Sequence, residues 1–328
     1  MSVTLKAGDF VVGLDIGGTK IMSCVFDHKF KVVGRCRKKS RSEKNANEKP
    51  EDRIFKIVKE SIADAGGVSI RGIGVGSPGP VNPAEGLIID TPNLGWKRFP
   101  LADILTKEFK VPALIENDVN AGTYGEWCFG EVQDSKNVLG IFPGTGIGGG
   151  IIIDGKLIHG FTGGAGEVGH MTIEVNGPYC GCGKRGCLEA VASRIAIAAE
   201  VSAIAARGDS PFILKNCGTD LGNIRSGMLA KAIEAGESMV EGVVRKAAYY
   251  TGIAVGNAMN FFSPEAVVLG GGLVEAMPEL YLDEVKRAVK EHAMPSIRKG
   301  VRIVKARLGD DAAVMGAARL MAERLAAS

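Results

Sequence analysis

Four residues in one short stretch have the types and spacing to hold a metal ion: His170, Cys180, Cys182 and Cys187. Nine residues separate the histidine from the first cysteine, one separates the first two cysteines, and four precede the last. Three thiolates and one imidazole form a complete tetrahedral set for structural Zn2+. Such a closed set leaves no open position for water, so the metal reads as a staple and not as a Lewis acid. Gly181, Gly183 and Gly186 suit a tight curl around one ion, because glycine accepts the positive φ such turns need. Glu167 lies three residues before His170, and Glu189 two after Cys187. A metal that fixes this loop also fixes where those carboxylates point. Ionised carboxylates accept hydroxyl protons and suit a polyhydroxylated ligand; two surface acids are the alternative.

A second group of residues points to phosphate. Glycine-rich turns follow apolar strands at 15–20 (DIGGTK), 144–150 (GTGIGGG) and 270–272 (GGG). Such turns bring bare N–H groups close to an anion. None is a Walker A motif, since GGTK lacks the Gly-Lys-Ser/Thr order. Residues 144–149 match GxGxxG, but dinucleotide binding requires a helix next and a strand hairpin is expected here, so that reading is rejected. Thr19 and Thr145 in two of the turns, with Asp15 at a strand end to hold Mg2+, favour a nucleoside triphosphate. Asp118, at the end of an apolar strand beside Asn117, is placed to take a proton from a substrate hydroxyl. Capping the following helix is the competing local role.

These residues need elements to position them. Strands are expected at 10–15, through 21–35 with a turn near His28, at 70–76, 111–115, 138–142, 266–269 and 301–306. The strands that succeed the first glycine turn suggest an antiparallel addition to a sheet. IIIDGKLIHG, from residue 151, reads as a hairpin turning at Asp154-Gly155. Helices are expected at 50–65, where Ile54, Ile57, Val58 and Ile62 share a face, and at 101–109, 119–129, 188–206, 227–234, 238–262, 280–292 and 311–325. The polar, basic stretch 35–49 reads as a solvated loop. VVGLDIGGTK and VLGIFPGTGIGGG are both strand, glycine turn and threonine, which suggests a duplicated half.

Length and composition bound the rest. A chain of 328 residues suggests two domains. Forty basic and 37 acidic residues leave nothing that demands nucleic acid or membrane as a partner. Cys24, Cys36, Cys128 and Cys217 are scattered singly, as in a reducing cytosol, and the N-terminus has no signal-peptide pattern, so a cytoplasmic protein is expected.

DIGGTK, SPGPVN (77–82), ENDVNA (116–121), GTGIGGG, EVGH (167–170), CGCGKRGCLE (180–189) and VLGGG (268–272) together resemble the ROK family of sugar kinases and sugar-responsive repressors. The match runs through nearly the whole chain in the family's order. The resemblance implies a two-lobed, actin-like (ribonuclease H-like) α/β ATPase fold with a cleft between lobes. It divides the chain into an N-terminal lobe, 1–116, joined by the C-terminal helix 311–328, and a second lobe, 117–310, carrying the zinc module 170–187. It implies Asp118 as general base. Gly79, Asn117, Asp118, Glu167, His170 and Glu189 would hold the sugar, so that His170 serves metal and sugar through different ring nitrogens. Asp15, Gly17, Gly18, Thr19, Lys20, Thr145, Gly146 and Gly271 would surround ATP and Mg2+. Family repressors carry a helix-turn-helix ahead of the kinase-like part, and about a dozen residues before Asp15 are too few for one. The compact cysteine pattern resembles the glucokinase branch, although N-acetylmannosamine kinases share it. The expectation is ATP-dependent phosphorylation of a hexose, D-glucose at its 6-hydroxyl, by a homodimer or homotetramer; N-acetylmannosamine or another hexose is the alternative acceptor, and a sugar-sensing protein without turnover is the competing class, against which an intact Asp118 argues.

Overall fold

The computed structural model describes residues 5–40, 49–91 and 94–327. In chain order the elements are β1 (Phe10–Ile16), β2 (Lys20–Phe26), β3 (Val32–Lys39), α1 (Pro50–Asp64), β4 (Ile70–Ser77), β5 (Val81–Asn82), β6 (Leu87–Thr91), β7 (Trp96–Phe99), α2 (Leu101–Phe109), β8 (Ala113–Asn117) and α3 (Asp118–Phe129). Next come β9 (Val138–Pro143), β10 (Ile147–Ile153), β11 (Lys156–Leu157), a 3-10 turn (Val168–His170), α4 (Leu188–Ala192), α5 (Arg194–Ala206), α6 (Pro211–Cys217), α7 (Ser226–Glu234) and α8 (Ser238–Phe262). The chain ends with β12 (Ala266–Leu269), α9 (Gly272–Ala276), α10 (Pro278–His292), α11 (Pro295–Arg298), β13 (Arg302–Lys305), a 3-10 turn (Gly309–Asp311) and α12 (Ala312–Ala327). Among the described residues no helix is long and apolar enough to cross a membrane.

The contacts divide the chain into two compact units. The first comprises Met1–Gln133, Leu157–Ala165 and Asp310–Ser328. Its five-stranded sheet has the order β3-β2-β1-β4-β8. β1 and β2 form an antiparallel hairpin, β3 extends it antiparallel, and β4 and β8 run parallel to β1. Side chains alternate across β1: Val12, Leu14 and Ile16 join the core beneath α1 and α2, whereas Val11 faces a second core with α12. α12 lies very close to the sheet and to α3. A Cβ at Gly13 or Gly74 would overlap a carbonyl of α12, and a Cβ at Gly316 would overlap the Ala121 carbonyl.

The second unit comprises Asp134–Lys156 and Gly166–Gly309. Its sheet order is β11-β10-β9-β12-β13, again with an antiparallel glycine hairpin (β9–β10) followed outward by two parallel strands, β12 and β13. The repeated sequence pattern thus corresponds to a repeated topology. α8 packs its small and branched residues, from Val240 to Met259, into one large core with α5 and α10.

Several expectations change. The stretch 35–49 is not all loop: β3 extends to Lys39, because Gly34 and Cys36 turn inward while Arg35 and Arg37 point outward to Asp311 and Asp310. The loop expected at 41–48 lies outside the described residues. The helix expected over 188–206 breaks at Ser193, whose backbone is extended and whose hydroxyl accepts from the Ala196 N–H at 3.2 Å, starting α5 afresh. A three-stranded sheet, β5-β6-β7, occupies 81–99, where no element was expected. The unit boundary also departs from residue 116: α3 packs on α12 and belongs with the first unit, as does 157–165.

Candidate active site

In the first unit the candidate residues gather where three parallel strands end. Asp15 on β1 pairs in register with Gly76 on β4, and Ser77 pairs with Asn117 on β8. Ligands of open parallel α/β sheets bind at these carboxyl ends. Asn117 is the N-cap of α3; its Oδ1 accepts from the Val119 and Asn120 N–H groups at 2.9 and 3.1 Å. The capping role weighed for Asp118 therefore belongs chiefly to Asn117, and Asp118 opens the helix, its Oδ1 3.0 Å from the Val119 nitrogen. With Oδ1 occupied, Asn117 has only its amide nitrogen to offer a ligand, and that nitrogen lies on the side of Gly79. Burial, then the charge of Asp118, raises the Asp15 pKa to about 7, against the lowering effect of Lys20. Two acids crowded at one sheet edge fit a divalent cation, which would relieve both penalties.

The hairpin turn is partly used up by its own geometry. Gly17 N–H donates to the Lys20 carbonyl at 2.8 Å, leaving Gly18 and Thr19 to supply the turn's amides. The Lys20 ammonium is ion-paired with Asp310, whose other oxygen holds Arg37 at 3.1 Å. The pairing with Lys20 holds the Asp310 carboxyl below the usual range.

In the second unit His170, Cys180, Cys182 and Cys187 converge. One ligand atom from each lies within 4.8 Å of all the others. Cys180 Sγ is 3.6 Å from His170 Nδ1, and Cys182 Sγ is 3.6 Å from Cys187 Sγ. Zinc bonded at about 2.3 Å to sulfur and about 2.0 Å to nitrogen sets tetrahedral ligand atoms about 3.5–3.8 Å apart, so the set fits the ion. Burial raises the Cys187 thiol, a cost that a bound cation removes by taking the thiolate. Gly183 and Gly186 have positive φ, 86° and 70°, whereas Gly181, expected to share that role, does not. Gly186 is doubly constrained, since a Cβ there would overlap the Glu174 carbonyl.

With Nδ1 turned to the sulfurs, His170 Nε2 lies 3.9 Å from Glu167 Oε2. Glu189, in the first turn of α4, accepts from Ile147 N–H at 2.9 Å through Oε2, while Oε1 is 4.0 Å from Cys180 Sγ. It thereby ties the cysteine loop to the Gly144–Gly146 turn, whose Gly144 N–H donates to Gly146 carbonyl at 2.8 Å. Gly271 (φ 81°) sits against the Pro143 carbonyl, so the second and third glycine turns adjoin. Gly79, Asn117, Asp118, Asp15 and residues 17–20 thus belong to the first unit; Glu167, His170, Glu189, Thr145, Gly146 and Gly271 belong to the second.

One network escaped the sequence. Glu116 is 3% exposed, and its Oε1 accepts from Asn117 N–H at 2.9 Å and Asn120 Nδ2 at 3.0 Å. Its Oε2 lies 2.6 Å from His159 Nε2, and that bond raises the histidine pKa. The pair braces the strand end that presents Asn117 and Asp118. The signal available was a glutamate inside ENDVNA, next to residues already singled out; nothing local marked His159.

Two α/β units of one strand order, each with a glycine hairpin at its centre, make this the actin-like ATPase fold. Residues 11–324 match the model of the ROK family, and the chain belongs to that family. It is 34% identical to a glucokinase of Halalkalibacterium halodurans, over 95% of both chains. The crystal structure of a ROK family glucokinase from Streptomyces griseus, in complex with glucose and AMPPNP, superposes with a TM-score of 0.82 at 30% identity, covering 96% of this chain and 99% of that one. A ROK hexokinase from Thermus thermophilus gives 0.81 at 32% identity, covering 97% and 100%.

Proposed function

We propose that the protein transfers the γ-phosphoryl group of ATP to the 6-hydroxyl of D-glucose. The observation that carries this reading is Asp118 at the carboxyl edge of the first sheet, beside Asp15, with the helix cap supplied by Asn117. The glucokinase and hexokinase relatives support the same chemistry. Asp118 accepts the hydroxyl proton as the sugar oxygen attacks in line. The amides of Gly18 and Thr19, with Thr145, Gly146 and Gly271, hold the nucleotide. Asp15 carries the negative charge for Mg2+, which when bound neutralises charge on the β- and γ-phosphates. Asn117 Nδ2 donates to a sugar oxygen, Glu167 and Glu189 accept hydroxyl protons, and His170 Nε2 faces the sugar while Nδ1 faces the metal. His170, Cys180, Cys182 and Cys187 would hold Zn2+, which would stiffen the loop that carries these acids. Unpaired cysteines throughout the described chain fit a reducing cytoplasm. The test is product formation: glucose and MgATP should give glucose 6-phosphate and ADP in equal amounts. ADP release without a phosphorylated sugar would refute the transfer.

A further inference from the structure

Arg194 is the first residue of α5, and three bonds fix it. Its backbone N–H donates to the Gly144 carbonyl at 2.8 Å. Its Nη2 donates to Thr145 Oγ1 at 3.2 Å, and Nη1 reaches the Ile224 carbonyl at 3.4 Å. The guanidinium is therefore held between the second glycine turn and the segment that enters α7. The next residue in that segment, Arg225, is exposed and donates through Nε to the Gly222 carbonyl at 3.3 Å. Among the described residues no carboxylate pairs with either arginine, whereas Arg245, Arg287, Arg302 and Arg319 all have one. Burial, then the charge of Arg225, pushes the Arg194 pKa below its ordinary value. Two neighbouring guanidiniums with no acid beside them repel each other, and an anion held by both would relieve that repulsion.

The surroundings say which anion. Ser226, which follows Arg225, lies at the Gly272 backbone: a Cβ there would meet Ser226 Oγ at 3.4 Å. The turns 144–146 and 270–272 and the starts of α5 and α7 therefore share one rim of the second unit. Two glycine turns, a threonine hydroxyl and guanidinium forks with spare N–H donors suit phosphate oxygens taken two at a time. We propose that Arg194 and Arg225 bind the phosphate chain of the nucleoside triphosphate donor, Arg194 as the fixed member and Arg225 as the exposed one. This rests on the kinase reading above and adds two donor-binding residues to it.

The test is equilibrium binding of ADP, inorganic tripolyphosphate and adenosine to the full chain at one ionic strength, for wild type, Arg194→Ala, Arg194→Lys and Arg225→Ala. Losing a charge-assisted bidentate contact should weaken ADP and tripolyphosphate about tenfold or more in Arg194→Ala, and less in Arg225→Ala. Adenosine affinity should not change, and Arg194→Lys should fall between. KM for ATP should rise with KM for glucose unaltered. ADP binding indifferent to both alanine substitutions would overturn the proposal, as would equal weakening of adenosine and ADP, which marks a structural role. Wild-type protein that binds no ADP would overturn the kinase reading with it.

Discussion

Two aspartates, Asp15 and Asp118, lie together at one edge of the first sheet. Asp118→Asn keeps the shape and removes the base, so kcat should fall by roughly 10²–10⁴. Glucose affinity, measured by calorimetry, should change little; a variant that keeps more than about a tenth of wild-type kcat would remove Asp118 from the role assigned. Asp15 makes a pH prediction. Its folded pKa, about 7, is above its value in the unfolded chain, so the folded state keeps a proton that the unfolded state has lost. Its contribution to stability therefore declines as pH rises from about 4 to about 7 and is flat beyond. Asp15→Asn should raise the Tm of the metal-free protein at pH 8 relative to wild type, leave it nearly unchanged at pH 4, and abolish most activity. Equal Tm shifts at both pH values would contradict the raised pKa. These two residues were legible because strand ends are readable from apolar runs. The Asn117 cap was not, since Asn and Asp side by side are both good caps and only the backbone chooses between them.

At the scale of elements, the cysteine loop and α12 make opposite use of glycine. In the loop, Gly186 permits a turn that the ligand set needs. Purified protein should carry one zinc per chain, and Cys182→Ser should lose the metal, lower the Tm and reduce activity together. Metal analysis of fully active protein without zinc would exclude the staple. In α12, Gly316 permits contact with α3. Gly316→Ala should cost stability at the upper end of the roughly 1–3 kcal/mol typical of overpacking. Gly242→Ala, exposed in α8 with open space about it, should gain about 0.5–1 kcal/mol. Chemical denaturation of both variants reads the contrast, and a neutral Gly316→Ala would deny the close packing. The long, strongly periodic elements were readable: α8 spans the residues expected of it. The break at Ser193 was not, because both sides of it are apolar and the cap is one hydroxyl. The strands of 81–99, two to five residues each, were too short to show a period.

At the scale of the whole molecule, the repeated glycine turn in the sequence corresponds to two sheets of one strand order. What the sequence hid was which pieces belong to which unit: 157–165 returns to the first unit from within the second, bringing His159 to Glu116. Substrate choice tests all the proposed sugar contacts together. Glu189 is pinned by Ile147, so a site that pairs the 2-hydroxyl has little freedom to accept an acetamido group instead. An unpaired buried acceptor costs about 1–3 kcal/mol, which puts 2-deoxyglucose below glucose as well. The most direct measurement is steady-state kcat/KM for ATP-dependent phosphorylation of glucose, 2-deoxyglucose, N-acetylglucosamine and N-acetylmannosamine by the zinc-loaded protein. Glucose should exceed both N-acetylated sugars by about tenfold or more, with 2-deoxyglucose also poorer than glucose; N-acetylmannosamine as the best substrate, or no turnover of any of the four, would contradict the assignment.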